Sequence, residues 1–438
     1  MNMERHIFGT DGVRDIANRG NMTPEFALKL GRAYVKAMKP KRVVIGMDTR
    51  QSGGMLQGGL ISGIVSEGAD VYLCGITPTP GVSYAVRELG ADGGAVISAS
   101  HNPAEYNGIK FLGSDGSKLT DEQELLVEGC ISSEPNTSKQ IGTIHDAPEL
   151  VKEYAAHLAQ FLDAEAAKPG LVIDCANGAA SIPMKYIVSK LEGELISTQT
   201  DGKSINASSG VMHMENLTEY VVSHKQRLGF AFDGDADRVL ISDSRGRIID
   251  GDIILWVLGR WLKQSRYTGR DKVVATVMSS LSLEEHLRNS DITLYRCPVG
   301  DRYVLDEMRN INAALGGEQS GHIIALPYTP TGDGICTAIL FLNAIHDMRE
   351  DVDSLIERFA RYPQKLTNLK LSRRLNDEEM RQIGEISSRS NASMRNGRVY
   401  IRPSGTEPLL RILVEAREAD IVEEVSERLT QELTSYTD

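Results

Sequence analysis

Cysteine is scarce in this chain and never closely paired: Cys74, Cys130, Cys175, Cys297 and Cys336 are scattered, odd in number and form no Cys-x-x-Cys motif. That usage suits a reducing cytoplasm and casts the thiols as small core residues rather than ligands. Basic excess is also lacking. A net charge of −12 and a pI near 5.4 argue against nucleic acid as the main partner, which would need a basic face. Local basic clusters for small phosphates are not excluded. No stretch reaches the roughly 18 apolar residues of a membrane span, and Met1-Asn2-Met3-Glu4-Arg5-His6 lacks the apolar run of a signal peptide. The expectation is a cytoplasmic protein, monomer or homodimer, that binds neither nucleic acid nor membrane.

What is present fits a soluble globular chain, with 41% hydrophobic and 25% charged residues. At 438 residues it is too long for one core and predicts three or four domains. Segments beginning at residues 42, 171 and 273 share one plan: a short apolar strand, a turn rich in Gly, Ser, Asn or Asp, then a helical pattern. Continuous apolar strands followed by helices indicate sheets buried on both faces, hence three similar α/β domains. The polar run 131–139 reads as a surface loop, Asp250-Gly251-Asp252 opens a helix over 253–262, and 361–365 reads as a linker. Beyond it, helical patterns at 376–388 and 420–434, opening on N-cap candidates Asn376 and Asp420, flank strands at 398–401 and 410–414. The expected units are therefore α/β at 1–147, 148–250 and 251–363, and a small α+β unit at 364–438.

Chemistry concentrates in a few turns. Ser98-Ala99-Ser100-His101-Asn102-Pro103, followed by Asn107-Gly108-Ile109-Lys110, sets a hydroxyl beside an imidazole, an amide and an ammonium group. His101 can donate to a phosphate oxygen; Lys110 can clamp one or, with its pKa lowered by neighbours, accept a proton. Nothing resembles the Gly-x-Ser-x-Gly elbow of an acyl hydrolase. After the strand-like 228–232 come Asp233-Gly234-Asp235-Ala236-Asp237-Arg238, three carboxylates that converge favourably only around a cation. All-oxygen ligation favours Mg²⁺. An EF-hand is excluded, because its sixth and twelfth positions are Arg238 and Ser244. Asp233 as the nucleophile of an aspartyl-phosphate phosphatase is the local alternative, but it leaves the serine segment without a role.

Serine plus a cation site points to phosphoryl transfer. Arg402-Pro403-Ser404-Gly405-Thr406-Glu407-Pro408 reads as an anion nest with a planar cationic grip. Glu318-Gln319-Ser320-Gly321-His322 offers groups for vicinal sugar hydroxyls, and Phe8-Gly9-Thr10-Asp11-Gly12-Val13-Arg14 ends on an arginine suited to phosphate.

In this order, and together with Asp48-Thr49-Arg50, Thr77-Pro78-Thr79-Pro80-Gly81, Asp174-Cys175-Ala176-Asn177-Gly178, Val299-Gly300-Asp301-Arg302-Tyr303-Val304 and Thr331-Gly332-Asp333-Gly334, these segments resemble the α-D-phosphohexomutase superfamily over essentially the whole chain. They are most similar to its amino-sugar branch, the phosphoglucosamine mutases. The resemblance implies three related α/β domains and a small fourth one around a central cleft. It also implies interconversion of glucosamine 6-phosphate and glucosamine 1-phosphate through a phosphoserine and a 1,6-bisphosphate, with glucose or mannose phosphates as alternative substrates. Ser100 would carry the phosphoryl group, with Arg14, His101, Lys110 and Arg238 around it and Lys110 as base. Ser100, Asp233, Asp235 and Asp237 would hold one Mg²⁺, and a hexose 1,6-bisphosphate would act as primer. Substrate contacts would come from Asp301, Arg302, Glu318, Ser320 and His322, and from Arg402, Ser404, Gly405, Thr406 and Arg411. Two departures stand out: Asp15 follows Arg14 where the family usually has glycine, and Ala236 replaces a common glycine; Gln319 between Glu318 and Ser320, together with Val299 to Val304, favours the amino-sugar branch.

Overall fold

The computed structural model describes the chain apart from residues 1–6, 10, 135–139, 374, 395, 404–408 and 437–438. Its first unit is a six-stranded sheet of β1 (Val13–Ile16), β2 (Arg42–Met47), β3 (Asp70–Ile76), β4 (Gly93–Ile97), β5 (Tyr106–Gly113) and β6 (Ile144–Asp146), in the order β1-β5-β4-β2-β3-β6. β4, β2, β3 and β6 run parallel, and β5 turns back antiparallel between β4 and β1. Around it lie α1 (Pro24–Met38), α2 (Gly53–Ser66), α3 (Thr79–Glu88) and α4 (Asp121–Cys130). Thr23 caps α1 by accepting from Phe26 N–H, and Pro24 pre-sets its first turn. The backbones of α1 and α2 touch because Gly63 has no side chain; a Cβ there would lie 2.2 Å from Leu28 O.

The second unit begins with α5 (Glu149–Ala159) and carries β7 (Leu171–Asp174), α6 (Met184–Ile187), β8 (Gly193–Ile196), α7 (Met214–Ser223), β9 (Leu228–Phe232), β10 (Val239–Asp243) and β11 (Ile248–Ile249). Its sheet order is β11-β10-β9-β7-β8. The third has α8 (Gly251–Lys263), β12 (Lys272–Thr276), α9 (Leu281–Arg288), β13 (Thr293–Cys297), α10 (Asp301–Ile311), β14 (Leu315–Gly317), β15 (Ile323–Ala325), α11 (Gly334–Asp347) and α12 (Val352–Arg358), with sheet order β13-β12-β14-β15. Asp250 caps α8, as its position in the sequence implied. Second and third units share one apolar core, in which Phe230 and Phe232 meet Ile253 and Phe341.

The last unit is an antiparallel sheet of β16 (Gln364–Lys370), β17 (Gly397–Pro403) and β18 (Leu409–Ala416), ordered β16-β18-β17, with α13 (Asp377–Ser393) and α14 (Ala419–Leu433) on one face. Two expectations need correction. Asp420 lies inside α14; the cap position is Glu418, which makes no side-chain cap bond. The segment read as a linker already enters strand at Gln364. The expected fold class, three related α/β units plus a small α+β unit, is what the chain forms. No helix among the described residues is long and apolar enough to cross a membrane.

Candidate active site

Ser100 sits in the turn between β4 and β5, in the left-handed region at φ +50°. Such a conformation costs a non-glycine residue about 1–3 kcal/mol and persists only where the surroundings over-determine it. Here they do. Ser98 Oγ accepts from Ser100 N–H at 2.9 Å and donates to Asp48 Oδ2 at 2.6 Å. Arg50, ion-paired with Asp48 at 2.9 Å, donates to the Ser100 carbonyl at 2.9 Å and the Asn102 carbonyl at 2.7 Å. From the second unit, Asn206 Nδ2 donates to the same two carbonyls at 2.8 and 3.0 Å. The main chain of the serine is held from both sides.

The acidic turn follows β9 and meets that serine directly. Ser100 Oγ donates to Asp233 Oδ2 at 2.5 Å and stands 3.3 Å from His101 Nδ1. Gly234 lets the two turns close up, because a Cβ there would lie 2.5 Å from Ser100 O. Ala236 adopts φ +54°, so the residue replacing the common glycine keeps a glycine-like backbone. Asp15, the other departure, fits β1 and accepts from Ile16 N–H at 2.8 Å and Asn21 N–H at 3.2 Å.

Asp233, Asp235 and Asp237 each bring a carboxylate oxygen within 4.8 Å of the others, all buried. Burial and the charges of Asp237 and Asp235 push the Asp233 carboxyl well above the usual range. Burial acts the same way on Asp237, but Lys110, His322 and Lys118 outweigh it and hold that group well below. Asp235 Oδ1 and Asp237 Oδ1 are buried without a hydrogen-bond partner. Orphaned carboxylate oxygens in an all-oxygen set are the arrangement a hard divalent cation satisfies.

Lys110 differs from expectation in its surroundings. Its ammonium lies 2.6 Å from Asp235, 3.6 Å from Asp11 and 3.7 Å from Asp237. Burial lowers its pKa, but Asp11 and Asp235 overcome that and raise it. As it stands Lys110 is a protonated clamp, not the lowered-pKa amine the sequence suggested. His101 moves the other way: burial, then Arg238 and Arg14, push it down to about 4, so it is a neutral imidazole at pH 7.

A cavity of about 160 Å³ opens beside this centre, lined by Asp11, Arg14, His101, Lys118, Asp237, Arg238, Val299, Gly300, Asp301, Glu318 and His322. Arg14 is paired with Asp11 and reaches Asn102 Oδ1 at 3.3 Å. His322 bridges Asp237 and Asp301, each at 3.6 Å. Glu318 accepts from Gly300 N–H at 3.1 Å and from Ser320 Oγ at 3.2 Å. Other expected site residues are not brought there. The Arg302 guanidinium is turned to α4, where it pairs with Asp121 and, at 3.0 Å, with Glu124. The Gln319 carboxamide points to Asp250 Oδ2 at 3.4 Å, so the residue that favours the amino-sugar branch does not face the cavity. Arg402 and Arg411 stand opposite each other on β17 and β18; Ser404, Gly405 and Thr406 lie outside the described residues.

Lys118 is a residue no motif announced. Part-buried, it bridges Asp11 of the first unit and Asp301 of the third. Only the fold brings those two carboxylates to it.

Each unit of this arrangement has a counterpart among known proteins. Residues 5–138, 152–246 and 250–362 match alpha/beta/alpha domains I, II and III of phosphoglucomutase/phosphomannomutase, and residues 366–432 match its C-terminal domain. The chain belongs to the phosphoglucomutase/phosphomannomutase family. Curated proteins named phosphoglucosamine mutase are similar along their whole length. One from Oceanobacillus iheyensis is 40% identical, covering 98% of this chain and 99% of that one; one from Staphylococcus aureus is 41% identical, covering 97% and 96%. Among solved structures, a phosphoglucomutase/phosphomannomutase family protein from Burkholderia thailandensis superposes with a TM-score of 0.80 at 23% identity, covering 98% of this chain and 97% of the other. As a phosphohexomutase the chain is an isomerase that works by phosphoryl transfer.

Proposed function

We propose that the chain is a phosphoglucosamine mutase, interconverting glucosamine 6-phosphate and glucosamine 1-phosphate. The observation that carries this reading is the Ser100 hydroxyl, 2.5 Å from Asp233 inside the carboxylate trio. The relatives of that name, at 40% and 41% identity, support the choice of sugar. In the active form Ser100 Oγ carries a phosphoryl group. Its O–P bond breaks as the free hydroxyl of a hexose monophosphate forms a new one, giving a 1,6-bisphosphate. The Lys110 ammonium gives its proton to the departing seryl oxygen and is recharged by the proton of the attacking hydroxyl. After the bisphosphate turns about, its other phosphate passes back to Ser100, and a hexose 1,6-bisphosphate primes a serine that has lost its own.

Phosphoryl transfer is mainly positioning and charge stabilisation, which Arg14, His101 and Arg238 supply along the cavity wall. Glu318 and Ser320 hold ring hydroxyls in either orientation, and Arg402 with Arg411 grips the phosphate that is not reacting. Asp233, Asp235 and Asp237, with an oxygen on Ser100, would hold one Mg²⁺. When bound, such a cation neutralises charge at the transferring group and relieves the carboxylates' hold on the Lys110 ammonium. An Asp233-based phosphatase is less well supported, because its carboxyl is buried, raised in pKa and already engaged by Ser100.

The test combines intact-mass analysis with steady-state rates on glucosamine, glucose and mannose 6-phosphates in the presence of a bisphosphate primer. Phosphate is expected on Ser100, and Ser100→Ala loses turnover by about a thousandfold or more. A fully active Ser100→Ala protein ends the mutase mechanism; preference for glucose or mannose 6-phosphate ends only the substrate assignment.

A further inference from the structure

The ladder between β17 and β18 sets Arg398 opposite Glu415 and, four residues along, Arg402 opposite Arg411. Residues four apart on a strand share a face and stand about 13 Å apart. The other face of this ribbon, with Val399, Ile401, Ile412 and Val414, belongs to the C-terminal core.

The first pair is clamped to the third unit. Glu415 is fully buried. Its Oε1 accepts from the N–H of Leu281, the first residue of α9, at 2.9 Å, and its Oε2 accepts from Arg398 Nε at 2.7 Å. Arg398 also donates to the carbonyls of Val277 at 2.7 Å and Met278 at 3.3 Å. A buried ion pair is weak as a source of stability, since desolvation offsets its attraction. Its directional bonds do fix how two surfaces meet. At the other end, two guanidinium groups stand directly opposite each other on neighbouring strands, an arrangement suited to gripping an anion between them. Arg402 Nε is buried there without a hydrogen-bond partner.

We propose that Arg398 and Glu415 are positioning residues for the substrate: they set the tilt of the ribbon that presents Arg402 and Arg411 to the non-reacting phosphate. The inference rests on the reading of that arginine pair as the phosphate anchor. With an arm of about 13 Å, a tilt of about 10° displaces the pair by about 2 Å, more than a charge-assisted hydrogen bond tolerates.

The experiment is steady-state kinetics on glucosamine 6-phosphate for Glu415→Gln, Arg398→Lys, Arg402→Ala and the Glu415→Gln/Arg402→Ala double variant, with thermal unfolding measured alongside. Each latch variant raises KM about tenfold while kcat stays within about threefold, the pattern of lost binding rather than lost chemistry. The double variant binds no worse than Arg402→Ala alone, although sites this far apart otherwise act independently. Wild-type KM in both Glu415→Gln and Arg398→Lys, or losses that multiply in the double variant, would overturn the proposal. Should Glu415→Gln not fold, Arg398→Lys decides, because it keeps the charge but loses the fork that spans three acceptors. Wild-type KM in Arg402→Ala removes the anchor reading and this inference with it; a raised KM there with unaffected latch variants removes the latch alone.

Discussion

The reaction centre and the C-terminal unit are built on opposite plans. Around Ser100, charged groups from three units are drawn together with little exposure to water: Asp48 with Arg50 and Lys110 with Asp235, all buried, and Lys118 between Asp11 and Asp301, part-buried. Each breaks the habit of keeping charge in water, and each is permitted because a group of opposite charge stands beside it. The C-terminal sheet has its own small apolar core and, apart from the buried Arg398–Glu415 pair at its contact with the third unit, wears ion pairs outside, as in Arg389 with Glu432 and Arg381 with Glu378 and Glu385. Charge spanning units thus surrounds Ser100, while the proposed phosphate grip sits on a separately packed module held at a few polar points.

Three substitutions can break or sharpen that contrast. The largest effect belongs to Lys118→Met, which leaves the part-buried carboxylates of Asp11 and Asp301 without their shared cation. Removing one partner of a fully buried pair costs about 3–5 kcal/mol. With these carboxylates partly exposed and Asp11 still paired with Arg14, the lower end, about 3 kcal/mol, is expected as a lowered urea midpoint, and a loss below about 1 kcal/mol would mean these charges are not interdependent.

Next comes Asp333, the cap of α11, which accepts from Cys336 N–H at 2.9 Å and Tyr154 Oη at 2.9 Å. Burial raises its pKa to about 6. A carboxyl raised on folding binds more protons in the native state, so its contribution is present at low pH and is lost as pH rises from about 4 to about 6. Each tenfold gain in proton affinity on folding is worth about 1.4 kcal/mol, so the loss approaches about 3 kcal/mol. Asp333→Asn, which caps equally well but does not ionise, should flatten that part of the urea midpoint–pH curve. An unchanged slope would show that Asp333 does not titrate there. The smallest effect is expected from Arg389→Ala, an exposed pair worth about 0.5 kcal/mol or less. A shift in melting temperature as large as that of Lys118→Met would erase the distinction between the two regions.

Strand ends and the turns that follow them were legible because the chemistry there is local. An apolar run ending in Asp233 or Ser98 announces itself at short range, and the approach of Ser100 to the acidic turn follows from the units lying side by side. Directions of long side chains were not legible. Arg302 begins α10 beside Asp301, yet one side chain lines the cavity and the other reaches α4, which depends on how the third unit meets the first. Lys118 has no motif because its meaning lies in two carboxylates distant in sequence. The polar alternation of Gln364–Lys370 concealed a strand, since β16 is an edge strand whose apolar residues are few. Asp420 looked like a cap by residue type, whereas the helix starts one turn-position earlier at Ala419.

Ser100 is gripped through its own carbonyl and amide as well as through its hydroxyl's bond to Asp233, so adding phosphorus there gives up one bond without loosening its post. A donor that cannot travel obliges its cargo to do so. The doubly phosphorylated sugar has to reverse end for end between half-reactions, and the walls that receive it must read both of its ends alike.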